Sequence, residues 1–126
     1  SAPRMGLKVG GGTDAHRAMW PPPVVSLQWM LDGKTVGGTP IRGPEEAPSR
    51  IEALWLYSEG SAWFTFEDGE RGSLAPGRLA DLAVLNKDYL TAPVDEIGSI
   101  VSLFTMVGGR IVYGDGPFAA YEEKAR

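Results

Sequence analysis

Val101-Ser-Leu-Phe-Thr-Met-Val107, Gly108-Gly109, Arg110-Ile-Val-Tyr113 is the stretch that decides the fold of the C-terminal third. Two apolar runs flank a pair of glycines, and a two-residue hairpin turn needs left-handed backbone at both central positions, which glycine adopts without steric cost. The spacing therefore predicts an antiparallel hairpin. Working back from it, Val94–Ile100 suits one or two helical turns. Asp81-Leu-Ala-Val-Leu85 suits a buried strand ending in Asn86, and Gly72-Ser-Leu-Ala-Pro-Gly77 a short strand and turn. From residue 72 onward the texture is β.

The clearest helix lies at about 48–60. Ser49 followed three residues later by Glu52 is a capping-box pattern, and Gly60 is a candidate C-cap. Ile51, Leu54, Trp55 and Ser58 recur at helical spacing, as in an amphipathic helix. Ser61–Phe66 either extends this helix by a turn or enters a loop. Residues 32–48 carry Asp32-Gly33, Gly37-Gly38 and three prolines, the composition of a loop. Val24–Leu31 places Leu27 and Leu31 four apart, which favours a short helix over a strand. Residues 6–13, Gly-Leu-Lys-Val-Gly-Gly-Gly-Thr, are expected to form a short buried strand that has no partner in its own neighbourhood. The last ten residues are polar and expected to fray.

Composition limits the function classes. The 126 residues are 43% hydrophobic and 22% charged, as for one soluble globular domain. A net charge of −4 with scattered basic residues excludes an electrostatic nucleic-acid footprint and an anionic-membrane surface. No apolar run approaches the roughly 18–20 residues that span a bilayer. The absence of cysteine excludes disulfides and thiolate metal sites and accords with a cytoplasmic location. Gly10–Gly12 is no phosphate loop, because no Lys-Ser/Thr pair follows it at the required spacing.

The ordered series carries a further signal. Gly-Gly-Thr-Asp-Ala-His at 11–16, Trp29-Met-Leu-Asp-Gly-Lys-Thr, Arg50-Ile-Glu-Ala-Leu-Trp-Leu-Tyr, Gly60-Ser-Ala-Trp-Phe, Gly72 through Leu85 and Thr105-Met-Val-Gly-Gly-Arg-Ile-Val-Tyr together resemble the C-terminal part of the amidohydrolase 3 branch of the amidohydrolase superfamily. The most specific piece is Gly72–Leu85 followed by the 105–113 hairpin.

The resemblance implies an α+β chain. It would hold the last strand (8–14) and last helix (49–60) of a (β/α)₈ barrel, plus the C-terminal strands (72–113) of a small composite β-sandwich built from both chain ends. On that division residues 1–71 end the barrel, 72–114 belong to the sandwich and 115–126 form a polar tail. The implied activity is hydrolysis of a non-peptide C–N bond, amide or cyclic amide, by metal-activated water in a longer enzyme. The alternative is a non-catalytic structural or interaction module of the same ancestry.

Barrel enzymes keep catalytic groups at the C-terminal ends of strands, where Asp14 falls. From spacing alone Asp14 is better explained as a turn-capping residue. The resemblance makes it the proton acceptor for a metal-bound water and a metal contact. His16 is expected to touch a small-molecule substrate from the loop, as is Trp20, while Trp55 and Trp63 are expected in the core. Arg17 either pairs with a carboxylate or is solvated.

The family carries a His-x-His pair, a lysine or carboxylate and further histidines, whereas this chain has one histidine. A divalent metal, zinc first, is therefore expected in the complete enzyme and not held tightly by these 126 residues. Asp81, Glu45-Glu46 and the Glu67, Asp68, Glu70 group are expected to be structural or solvated. Uncovered edges and apolar faces lead us to expect a homo-oligomer or strand exchange.

Overall fold

A computed structural model describes residues 5–13, 22–35 and 37–122. The protein is a small α+β domain whose helices precede a three-stranded antiparallel sheet. Helix α1 spans Pro23–Asp32, α2 Arg50–Tyr57 and α3 Glu59–Phe64; strand β1 spans Leu82–Leu85, β2 Ser102–Val107 and β3 Arg110–Gly114, in sheet order β1-β2-β3. Short 3₁₀ turns occupy Pro44–Glu46, Val94–Ser99 and Gly116–Tyr121. Among the described residues no helix is long and apolar enough to cross a membrane.

The hairpin forms as its turn chemistry requires. Val107 pairs with Arg110, and Gly108 and Gly109 both take positive φ, 56° and 79°. The α2 cap also forms in full: the Ser49 hydroxyl accepts from the Glu52 N–H, and the Glu52 carboxylate accepts from the Ser49 N–H. Such a pair satisfies two otherwise orphaned helix-end donors.

Other expectations are corrected. Gly72–Gly77 forms no strand; the backbone from 71 to 81 is irregular, held by Arg78 donating to the Asp68 and Arg71 carbonyls. Gly60 is not a cap, because the helix breaks at Ser58 (φ −113°, ψ −91°) and resumes as α3 with Gly60 inside it. Residues 7–13 form no regular element and join no ladder among the described residues, and Leu7 is 58% exposed. The chain after the sheet forms a 3₁₀ turn at Gly116–Tyr121, whose Phe118 ring lies 5.5 Å from the Phe104 ring.

The core sits in the helical half. Leu27 of α1, Ala53 of α2, and Tyr89, Ile97 and Ile100 of the loop before β2 form its buried cluster, with Val24, Met30, Leu31 and Tyr57 packed around it. Gln28 ties α1 to that loop by accepting from the Gly98 N–H at 2.6 Å.

A reciprocal clasp crosses this core. Arg50 donates to the carbonyls of Tyr89 and Ala92, and the Tyr89 hydroxyl donates back to the Arg50 carbonyl at 3.1 Å. Hydrogen bonds from a charged donor stabilise by about 1.5–3 kcal/mol each. Arg50→Met should lower unfolding free energy by about 2–4 kcal/mol, read as a shifted urea midpoint; an unchanged midpoint would remove the clasp from the account. Burial raises the pKa of Tyr89 above its ordinary value, with Arg50 opposing it. A raised folded pKa means this contribution is intact below the unfolded value of about 10 and is lost as pH climbs through the folded one. Alkaline titration of stability should show that loss, and Tyr89→Phe should remove it.

Candidate functional site

The described segment nearest the expected site residues is Lys8–Thr13, which leads directly to Asp14. Its position is set by backbone contacts. The Gly11 N–H donates to the Leu56 carbonyl at 2.7 Å, and the Ser61 hydroxyl bridges the Gly11 and Leu56 carbonyls at 2.7 and 2.9 Å. The segment is thus held where α2 breaks and α3 begins.

Such closeness needs bare backbone on both sides. A Cβ on Gly60 would stand 2.5 Å from the Val9 carbonyl oxygen, and one on Gly11 would stand 2.7 Å from the Tyr57 ring. The role of Gly60 is therefore close approach, which explains its presence inside a helix where glycine otherwise costs up to ~1 kcal/mol.

The expected site residues Asp14, His16 and Trp20, together with Arg17, lie outside the described residues. Two other aromatics are corrected: Trp55 and Trp63 are not core residues, being 38% and 36% exposed. Trp55 instead donates from Nε1 to Glu59 at 2.8 Å, and the Trp63 ring carries Lys8 Nζ at 5.6 Å from its centroid. Hydrogen bonds from Ser73 and then Trp55 hold the Glu59 carboxyl below its ordinary pKa.

Beside the held segment lies a shallow groove of about 300 Å³, lined by Tyr57, Ser61, Thr65, Arg71, Gly72 and Asp81 among others. Sequence reasoning gave Asp81 no chemistry, and the structure gives it a joint. Its Oδ1 accepts from the Gly108 N–H at 2.6 Å and its Oδ2 stands 3.8 Å from Arg71 Nε. At that separation the pair attracts without a hydrogen bond, and Arg71 Nε has no hydrogen-bond partner. In the lining, the Thr65 hydroxyl stands 2.9 Å from Glu67 Oε2 and 3.0 Å from the Ala62 carbonyl oxygen.

No group of three or more His, Cys, Asp or Glu that could hold a metal exists among the described residues. With one histidine and no cysteine in the whole sequence, the donor set does not fit a zinc site of three or four protein ligands. Glu45 and Glu46 are exposed, and Glu67 forms a long ion pair with Arg71 at 3.7 Å, as expected of solvated faces.

The model of the amidohydrolase family matches residues 2–113. An N-substituted formamide deformylase of Arthrobacter pascens is 28% identical over 109 residues, covering 86% of this chain and 20% of that protein. The amidohydrolase YtcJ of Bacillus subtilis (strain 168) is 36% identical over 62 residues, covering 49% of this chain and 12% of that protein. The chain thus spans a fifth or less of the length of the curated relatives it matches. No solved structure matches.

The geometry around Gly60 predicts that Gly60→Ala pushes residues 8–13 off α3 while leaving α1 and the sheet in place. Hydrogen exchange should then show the Gly11 amide losing at least about tenfold protection; unchanged protection would mean the backbone contact does not hold the segment.

Proposed function

The chain belongs to the amidohydrolase family, and from that premise we propose that it is the C-terminal part of a metal-dependent hydrolase of non-peptide C–N bonds, amide or cyclic amide. The observation that carries the reading is the glycine-mediated seating of residues 8–13 on the α2–α3 break, which fixes the chain immediately before Asp14. A strand whose exit carries the reacting carboxylate must be placed accurately, and backbone-to-backbone contact places it more rigidly than side chains do.

On this reading residues 8–14 are the last barrel strand and α2–α3 the last barrel helix. Residues 72–113 are the later share of a composite sandwich. Asp14 accepts a proton from the attacking water and delivers it to the leaving nitrogen. His16 and Trp20 follow on the loop and contact the substrate. The relatives' greater length supports a supply of the remaining metal ligands from elsewhere in a longer polypeptide. The name of the Arthrobacter relative makes an N-substituted formamide the first substrate to try.

The 126 residues alone should hold no stoichiometric zinc after dialysis and should not release amine from an N-substituted formamide. A polypeptide of the relatives' length that ends in this chain should do both, and Asp14→Asn in it should lower kcat by at least about 10³-fold. Unaltered turnover in Asp14→Asn would overturn the assignment. Absence of metal and turnover in the longer protein would instead favour a non-catalytic module, the reading to which the sparse donor set also points.

A further inference from the structure

Helix α3 ends on a residue that its local geometry does not favour. The Phe66 N–H donates to the Trp63 carbonyl at 3.1 Å, and the Glu67 N–H donates to the Ala62 carbonyl at 3.0 Å. These two bonds make a Schellman motif, in which the residue beyond the cap takes left-handed backbone and is usually glycine. Here it is phenylalanine at φ 60°, the one non-glycine residue with positive φ among those described. An L side chain in that region crowds its own backbone, and such strain persists only where the surroundings offset it. Contacts among the described residues offset little of it, since Phe66 is 91% exposed.

The path of the chain shows what can cover the ring. From Gly11 back to Lys8 the chain runs along α3 toward its C-terminal end. Gly11 bonds at Leu56 and Ser61, a Cβ on Gly10 would stand 3.0 Å from the Phe64 ring, and Lys8 lies over the Trp63 ring. Leu7 and Met5, the next apolar residues in that direction, are exposed, as is Phe64. Polypeptide ahead of Met5 is thus delivered to the end of α3 that carries Phe66.

We propose that Phe66 is the anchor on which the preceding part of a longer polypeptide packs, with apolar side chains of its own, which rests on reading this chain as the C-terminal part of such a polypeptide. The matched region is a fifth or less of the curated relatives' length, so ample chain remains to supply the cover. The cover is apolar because Met5, Leu7, Phe64 and Phe66 carry no charge. Full burial of a phenylalanine ring is enough to offset one left-handed residue.

Hydroxyl-radical footprinting, read at Phe66 by mass spectrometry, tests this on the 126-residue chain and on a polypeptide of the relatives' length that ends in it. Phe66 should react at least about tenfold more slowly in the longer protein. Phe66→Gly should act with opposite signs in the two settings. In the 126-residue chain it relieves the left-handed position and should raise the folded-to-unfolded ratio about fivefold, read from the urea midpoint. In the longer protein it removes the anchor and should lower the thermal midpoint by at least about 2 °C. Phe66→Ala removes the ring without relieving the backbone. It should leave the short chain within about twofold of the parent and still lower the longer protein's midpoint. Equal reactivity of Phe66 in both proteins overturns the proposal, as does a Phe66→Gly exchange that stabilises both. Protection that appears within the 126-residue chain between about 1 and about 100 μM also overturns it, by giving the ring to a second copy. A reactive Phe66 leaves the Asp14 test standing, and unaltered turnover in Asp14→Asn leaves a protected Phe66 standing.

Discussion

The reciprocal clasp between Arg50 and Tyr89 is the constraint on which the helical half depends. α2 and the loop at 88–92 are far apart in sequence, and neither packs enough apolar surface to hold the other by burial alone. Of the two segments, only Ala53 and Tyr89 enter the shared buried cluster. The guanidinium supplies donors to two loop carbonyls that would otherwise be half-desolvated and unpaired, and the phenol returns a donor to the helix's first turn. Because each side chain bonds to the other's backbone, the clasp fixes chain path as well as proximity. With the loop fixed, Ile97 and Ile100 reach the core behind α1, and the chain enters β2 at a set height.

From that framework the rest follows through α2. Ala53 and Leu56 face inward, while Ile51, Leu54 and Trp55 face out at 61%, 42% and 38% exposure. A helix apolar on opposite sides belongs between two layers, and this chain supplies one. The outward stripe and the exposed Phe66 beyond α3 are two symptoms of one shortage: more apolar surface than 126 residues can cover. They lie on different elements, so a single partner need not cover both.

Local chemistry was legible in the sequence, and long-range placement was not. The hairpin could be read because Gly108-Gly109 meets a backbone demand within two residues, and α2's start because Ser49 and Glu52 satisfy each other within one turn. The period of Ile51, Leu54 and Trp55 correctly marked a helix, but periodicity names an apolar face without naming its neighbour, so Trp55, expected in the core, lies 38% exposed. Gly60 was misread for a related reason: a glycine near a helix end has the same sequence signature whether it caps or admits another strand. Its contact with Val9 spans some fifty residues and has no local trace. The Gly72–Gly77 segment carried strand-compatible residues yet lacks a partner strand. The candidate site residues Asp14, His16 and Trp20 were found only through the ordered resemblance, since none has distinctive spacing within the chain.

The joint at Asp81 ties these observations together. One carboxylate oxygen holds the Gly108 N–H at the hairpin turn, and the other faces Arg71, which also faces Glu67 just beyond α3. α3 in turn presents Ser61 and Gly60 to the segment that leads to Asp14. The sheet and the glycine-rich segment never touch through an extensive interface, yet both are referenced to the same short helix, one by backbone contact and the other through charge. The two attachments differ in strength. The backbone contact is direct, short and shielded, whereas the Arg71–Asp81 and Arg71–Glu67 separations of 3.8 and 3.7 Å leave partly exposed charges that salt screens. Displacement of the sheet on docking against another layer would therefore yield first at Arg71, and the path to Asp14 would keep its place on the α2–α3 break.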